Sequence, residues 1–535
     1  MQEYDALTRS DVSLDGDPLV IEVVSDTPQS LSAIQERVGS ALPDVATSTQ
    51  AVFDADADRF FFVEFPEIDP KGQEREVFAF GRALRMALDV AEANPVLPDS
   101  LYGAAHVGTE SFLSFCETKR DNSRPYGWHH KRIKTPLAWQ HTRGQGSKVA
   151  VIDTGYSDHS ELAGVIETNG MWNFVEGNGD ARDRFSGGVL KHPGHGTLVT
   201  SVVGSRGGAD MNGDTTSPGA ITGTAPAAKV LPIRAIKSVI DMTQLRIPAA
   251  ISHAVNQNAD VIVMALGGPV RVSSTEQALR NAVQAGLVIV CAAGNCYPNV
   301  VFPAAYASLE ICTAVAALQP DRRPWRKTGR GPEVSFSAYG ENVWGAAKNK
   351  ATDPNSGIRA SQGTTLATSM TGGVAALWVA HHGGRAALLQ KAQNAGTTVQ
   401  AMWLHCAKHG MNKPVVWNGA TDLGAGIINA QAVLDAPLPT GAESPAAPDP
   451  NATPTLNILV SHLAGTDSTA AGEVTPDMAD YANEIIWLSY RRGARKRIAE
   501  SDGGAEAMVG EDAPTSGLDT ALSDKPALSA YLGMG

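Results

Sequence analysis

Four short runs, Lys148–Ile152, Val230–Ile233, Val261–Ala265 and Leu287–Ala292, are apolar almost throughout and do not alternate with polar residues. That texture leaves few architectures open. A strand with one face in water alternates, whereas a strand covered on both faces reads as a continuous apolar run. Helical patterns at Leu245–Asn256 and Glu276–Ala285 lie between the later runs, with glycine at most of the turns. Strand, loop and helix in repetition predict a parallel sheet with helices on both faces, an α/β fold, over residues 126–435.

The rest of the chain reads differently. Residues 1–100 suggest a small α+β module. Leu19–Val24 and Phe60–Phe65 are its strands, Leu31, Ile34 and Val38 share one helix face, and Val77–Ala91 forms a second helix. A β-α-β-α-β texture of this kind is ferredoxin-like. Residues 101–125 read as a connector and 436–482 as a Pro/Ala-rich linker. Residues 483–500 predict a basic helix, in which Ile485, Ile486, Trp487 and Leu488 precede Arg491, Arg492, Arg495, Lys496 and Arg497. A solvated helix fits that pattern better than one docked on an acidic partner or a membrane. Residues 501–535 are expected to be a disordered tail.

The chain has 535 residues, 43% of them hydrophobic and 19% charged, with a net charge of -13. A core of ordinary size is expected, and the acidic balance argues against nucleic acid as a partner. No apolar stretch reaches the ~20 residues that a membrane-spanning helix needs. Met1-Gln-Glu-Tyr-Asp5 carries no basic and apolar leader, and the five cysteines form no CxxC pair, so a cytoplasmic location is the expectation. Cys291 reads as a small buried core residue.

Four segments carry chemistry: VAVIDTG (Val149–Gly155), HPGHGT (His192–Thr197), CAAGN (Cys291–Asn295) and GTTLATSMTGG (Gly363–Gly373). Asp153 ends a buried strand, where a carboxylate can reach the crevice beyond the sheet and fix a histidine tautomer. His195 opens the helical run Leu198–Val203 among small residues, as a general base for a hydroxyl must. His159 and His192 read as local structure. Asn295 follows a buried strand, from which its amide can donate to an oxyanion. Thr365 places a hydroxyl at the start of a helix, where backbone N–H groups and the helix dipole favour negative charge.

In this order the segments resemble the subtilisin-like serine protease family. Thr135–Trp139, Gly223–Lys229 and Gly424–Ala430 match its flanking sequence, and the likeness runs from about Tyr126 to Leu434. It implies an endopeptidase with catalytic Asp153, His195 and Thr365, an oxyanion donor in Asn295, and a polypeptide substrate. Thr365 stands where the family has serine, and Ser369 where it has proline. The added methyl weakens or abolishes turnover in this reading. The alternative is a catalytically silent pseudoprotease, a peptide-binding or regulatory module. Ala265-Leu-Gly-Gly268 resembles the family's SLGG strand, which makes Leu266, Gly267 and Gly268 the substrate-binding residues. The resemblance also implies a propeptide-like role for residues 1–100, with intramolecular inhibition. No cofactor is required for the chemistry. Structural calcium is compatible with the family, but no loop places it. Asp180, Asp183 and Asp210–Asp214 read as surface loops before metal ligands.

Overall fold

The computed structural model describes residues 2–7, 18–70, 72–97, 123–185, 193–207, 221–237, 244–295, 299–441, 454–464, 467–500 and 513–534. The first ordered body is a four-stranded antiparallel sheet with two helices. Its elements are β1 (Leu19–Gln29), α1 (Leu31–Ala41), β2 (Ser48–Ala51), β3 (Asp58–Phe65), α2 (Glu74–Leu88) and β4 (Glu92–Val96), with strand order β2-β3-β1-β4. Ser30 caps α1 by accepting the Ala33 N–H at 3.2 Å. Leu19, Ile21 and Val23 of β1 pair with Phe65, Val63 and Phe61 of β3, and all six are buried in a core shared with α1 and α2. The opposite face is also covered: Val20, Phe62 and Val96 pack with Val272 of the larger body. This two-sided burial explains why β1 begins as a continuous apolar run.

The larger body is a seven-stranded parallel sheet of β5 (Lys148–Asp153), β6 (Trp172–Asn173), β7 (Lys229–Arg234), β8 (Val261–Met264), β9 (Val288–Ala292), β10 (Thr313–Leu318) and β11 (Phe336–Tyr339). Its order is β11-β10-β9-β8-β5-β7-β6. From β5 the chain therefore builds outward in both directions. That makes the carboxyl end of β5, at Asp153, the switch point where open α/β sheets form their crevice. The flanking helices include α3 (His195–Gly204), α4 (Ile247–Asn256) and α5 (Ser273–Gln284). A hairpin of β12 (Val343–Ala346) and β13 (Ile358–Ser361) then leads into α6 (Thr364–His381), which is buried from Thr364 to Val379. Gly372 lets α6 lie against β8, because a Cβ there would collide with Val263.

The C-terminal region corrects the sequence-based expectation. The segment expected as a linker contains α7 (Pro454–Ala464) and a 3-10 turn at Pro476–Tyr481, although its proline-rich portion, 442–453, lies outside the described residues. The expected basic helix is α8 (Ala482–Glu500), and it is not solvated along its first half: Ile485, Ile486, Trp487 and Leu488 are buried. Beyond it, Ser516–Leu522 and Pro526–Leu532 are helices where a disordered tail was expected, with Leu518, Leu522, Leu528 and Leu532 buried. Each has only 7 residues, too few for a helix to persist alone in water, so both owe their order to packing on the rest of the molecule.

The same region clasps the N-terminal module. Trp487 and Tyr490 of α8 lie in its core, with rings stacked at 5.6 Å. Arg82 of α2 reaches Glu484 at 2.9 Å, Arg85 reaches Asp480 at 2.6 Å, and Arg491 lies 3.9 Å from Glu74. Among the described residues no helix is long and apolar enough to cross a membrane.

Candidate active site

Asp153, the last residue of β5, is fully buried. Its Oδ1 accepts the Thr154 N–H at 2.7 Å, and its two oxygens face His195 Nδ1 at 2.9 and 3.0 Å. That bond fixes the ring and leaves Nε2 on the far side, 3.1 Å from Thr365 Oγ1. The sheet, α3 and α6 thus bring one carboxylate, one imidazole and one hydroxyl into line. His195 is 9% exposed and Thr365 6%, so the line is largely screened from water.

Glycines make the approaches feasible. Gly194 caps α3 at φ +77°, where a side chain would also strike the backbone carbonyl of Lys348. Gly363 precedes α6 at φ +130°, and a Cβ there would stand 2.9 Å from Asn295 Nδ2.

Asn295 follows β9 and meets the start of α6. Its Oδ1 accepts both the N–H and the hydroxyl of Thr364, each at 2.8 Å. With its oxygen held by two donors, the Asn295 amide is fixed against Thr364, the neighbour of Thr365. Thr364 is therefore an orienting residue that the motif contained but did not announce. Ser369 cannot replace Thr365, because it is buried one turn along and its hydroxyl donates to the Thr365 carbonyl at 2.7 Å.

Asp183 is the clearest miss. It was expected on a surface loop, yet it is buried. Its Oδ2 accepts the Thr154 hydroxyl and the Gly194 N–H, both at 2.8 Å, and its Oδ1 accepts the Phe185 N–H at 2.8 Å. Thr154 Oγ1 in turn accepts the Gly196 N–H at 3.2 Å. The strand end bearing Asp153 and the helix start bearing His195 are thereby stitched together through one carboxylate. Sequence spacing could not show this, since Asp183 is 29 positions from Thr154 and 11 from Gly194, with no local pattern linking them. Asp180 is at the surface, in ion pairs with Arg182 and Arg184. Residues 208–220, which include Asp210–Asp214, lie outside the described residues, as does His192. His159 is structural, with Nε2 on the Gly357 carbonyl at 2.9 Å. Cys291 is buried on β9.

The proposed substrate strand needs one correction. Gly268 exchanges two backbone bonds with Phe302, its N–H donating at 2.9 Å and its C=O accepting at 2.8 Å. Its backbone is thus engaged inside the fold and is not available to pair with an incoming peptide. Leu266 is buried, and Gly267 is partly open. Among the described residues no three His, Cys, Asp or Glu side chains group to hold a metal ion, and the Asp183 oxygens are already filled by donors.

Comparison with known proteins gives the same frame. Residues 144–429 match the profile of the subtilase family. Thermitase of Thermoactinomyces vulgaris is 33% identical over 263 residues, an alignment covering 48% of this chain and 82% of thermitase. The major intracellular serine protease of Bacillus subtilis (strain 168) is 32% identical, covering 46% of this chain and 73% of that protein. The crystal structure of MycP1 with its N-terminal propeptide removed superposes with a TM-score of 0.46 at 24% identity, covering 60% of this chain and 100% of MycP1.

Proposed function

The chain belongs to the subtilase family, and from that premise we propose that it is an endopeptidase in which threonine serves as the nucleophile. The observation that supports this reading is the single imidazole of His195 bonded to Asp153 on one side and to Thr365 on the other. Thr365 Oγ1 attacks the peptide carbonyl carbon while its proton passes to His195 Nε2. Asp153 holds the ring and stabilises the imidazolium. The carbonyl oxygen becomes an oxyanion, to which Asn295 Nδ2 and the first-turn N–H groups of α6 donate. His195 then hands its proton to the leaving amine as the C–N bond breaks, leaving an ester on Thr365. Water, deprotonated by the same imidazole, hydrolyses that ester.

The N-terminal module is proposed to act as an intramolecular inhibitor. Its sheet lies against the start of α5, where Glu22 accepts the N–H groups of Ser273 and Ser274 at 2.8 and 2.7 Å. Glu92 accepts the Ser273 hydroxyl at 2.8 Å and pairs with Arg271 at 3.1 Å. Burial works against the charge on Glu92, yet Arg271 and Ser273 hold its carboxyl below the usual range.

A fluorophosphonate probe with peptide mapping tests the enzymatic reading. Modification of Thr365 that is lost in His195→Ala, together with cleavage of an unfolded protein, is the expected result. Absence of both, in the full chain and after removal of residues 1–100, would identify a silent peptide-binding protein instead.

A further inference from the structure

A cavity of about 330 Å³ opens between the short helix Trp128–Arg132, the end of β11 and the stretch 410–429. Lys131, Arg132, Lys134 and Arg322 line it, and none of its lining residues is acidic. Four cations around one space stand out in a protein whose net charge is -13. Among the described residues Arg132, Lys134 and Arg322 pair with no carboxylate. Asp321, in the wall of an adjoining cavity, pairs with Arg323 at 3.6 Å. Two of the cations sit on strained backbone: Lys134 has φ +61° and Arg322 φ +73°, the left-handed region that residues with a Cβ rarely adopt. Such strain persists only where the surroundings fix it, and it recurs at ligand clamps. At Arg322 the surroundings are the Gln319 carbonyl, which accepts its N–H at 3.0 Å, and Trp417, whose Nε1 donates to its carbonyl at 2.7 Å. Tyr339 lines the same cavity, its ring edge-on to Trp128 at 5.1 Å. Burial pushes its phenol up and Arg132 and Arg322 pull the other way, so both guanidinium groups lie near enough to act on one oxygen.

The space equals the share of liquid volume of about ten waters. That is far more than a chloride ion needs, and it lies within the range of small-molecule sites. A single carboxylate would balance only one of the four charges. Phosphate groups carry more charge in the same volume and match the planar fork of arginine. A second cavity, of about 420 Å³, shares Arg132, Arg322 and Pro414 with the first and is lined further out by Val415 and Val416, with Val415 93% exposed. It has room for an uncharged body joined to the phosphates. We propose that the basic cavity binds a small anion carrying two or more phosphate groups, gripped by Arg132 and Arg322 with Lys131 and Lys134 beside them. Its walls run from Lys131 to Asn429, at opposite ends of the catalytic body's sequence. An occupant therefore ties those ends together and stabilises the fold in proportion to its binding. The site is independent of turnover at Thr365.

Titration calorimetry and thermal unfolding of the full chain test this. The probes are inorganic triphosphate, ATP and sulfate, in magnesium-free buffer at constant ionic strength. Triphosphate is expected to bind at one site and to raise the thermal midpoint, with sulfate about tenfold weaker or more. Arg132→Gln and Arg322→Gln, both at exposed positions, should each weaken triphosphate about tenfold or more. Arg323→Gln, next along the chain but outside the cavity wall, removes the same charge and should change the affinity less than about twofold. Midpoints without ligand show that each variant is folded. Tighter binding of ATP than of triphosphate would assign an organic phosphate whose body fills the second cavity, and weaker binding an inorganic one; either result keeps the site. No saturable binding at millimolar triphosphate, sulfate as tight as triphosphate, unchanged affinity in Arg132→Gln and Arg322→Gln, or an equal loss in Arg323→Gln overturns the proposal.

Discussion

His195 Nε2 and Thr365 Oγ1 stand 3.1 Å apart, within direct proton-transfer reach. The threonine methyl shares that buried site, and β-branching restricts the χ1 freedom that attack requires. Replacing Thr365 with serine is expected to raise kcat on an unfolded protein by roughly 10- to 100-fold, the scale on which an ångström of misplacement acts. Thr365→Ala should abolish turnover while leaving the thermal midpoint nearly unchanged. A serine variant no faster than the parent would show that the methyl is not the limiting factor.

Asp183→Asn replaces one of two acceptor oxygens with a donor, facing the N–H groups of Phe185 and Gly194 and the Thr154 hydroxyl. One or more of those buried donors loses its partner, at a cost of about 1–3 kcal/mol. Because the lost bonds tie Asp153 to His195, kcat should fall more than KM rises, with a lower thermal midpoint. Unchanged kcat in a destabilised variant would assign Asp183 to folding alone.

Glu333 gives a pH signature. Burial pushes its carboxyl up to about 7 from an ordinary 4.5, with a Ser461 hydrogen bond opposing. A raised carboxyl stabilises the fold fully below pH 4.5, and this contribution is lost as pH climbs through 7. The loss is on the order of 3 kcal/mol. His462 works in the other direction, since burial holds it down at about 4 and favours the fold as pH rises toward 6.5. Comparison of parent and Glu333→Gln isolates the first effect. Thermal midpoints at pH 5 and pH 8 should show the variant gaining on the parent at pH 8, and parallel curves would contradict this account.

Trp487→Ala should loosen the N-terminal module, because a buried ring stacked on Tyr490 is worth about 3–5 kcal/mol on truncation. With a site-specific protease sequence inserted within residues 101–122, the cut parent should elute as one species in gel filtration. The cut Trp487→Ala protein should release the module. Release from both would mean that α8 contributes little to holding it.

The sheet and the site were legible in the sequence for one reason: local pattern and local chemistry coincide there. Runs such as Val261–Ala265 must be buried on both faces, and β8 occupies Val261–Met264. Likewise Asp153 ends β5, Asn295 follows β9, His195 opens α3 and Thr365 lies in the first turn of α6, and the fold brings these element ends together. Asp183 and Thr364 were not legible, because each works through a partner distant in sequence. The C-terminal helices were missed because proline and alanine dominate the segment that leads to them, while their order comes from surfaces supplied elsewhere. Gly268 was misread because sequence cannot tell which strand edge the fold has already filled.

The clasp has a kinetic meaning. Arg82 and Glu484 are separated by 402 positions, so their contact joins the two far reaches of the chain. Closing a flexible loop of that length costs on the order of 5 kcal/mol in entropy. The cost falls only once the intervening parallel sheet has condensed and shortened the path between the ends. The clasp is therefore expected to form only after the sheet has condensed, so that the two far reaches of the chain meet on a scaffold already in place.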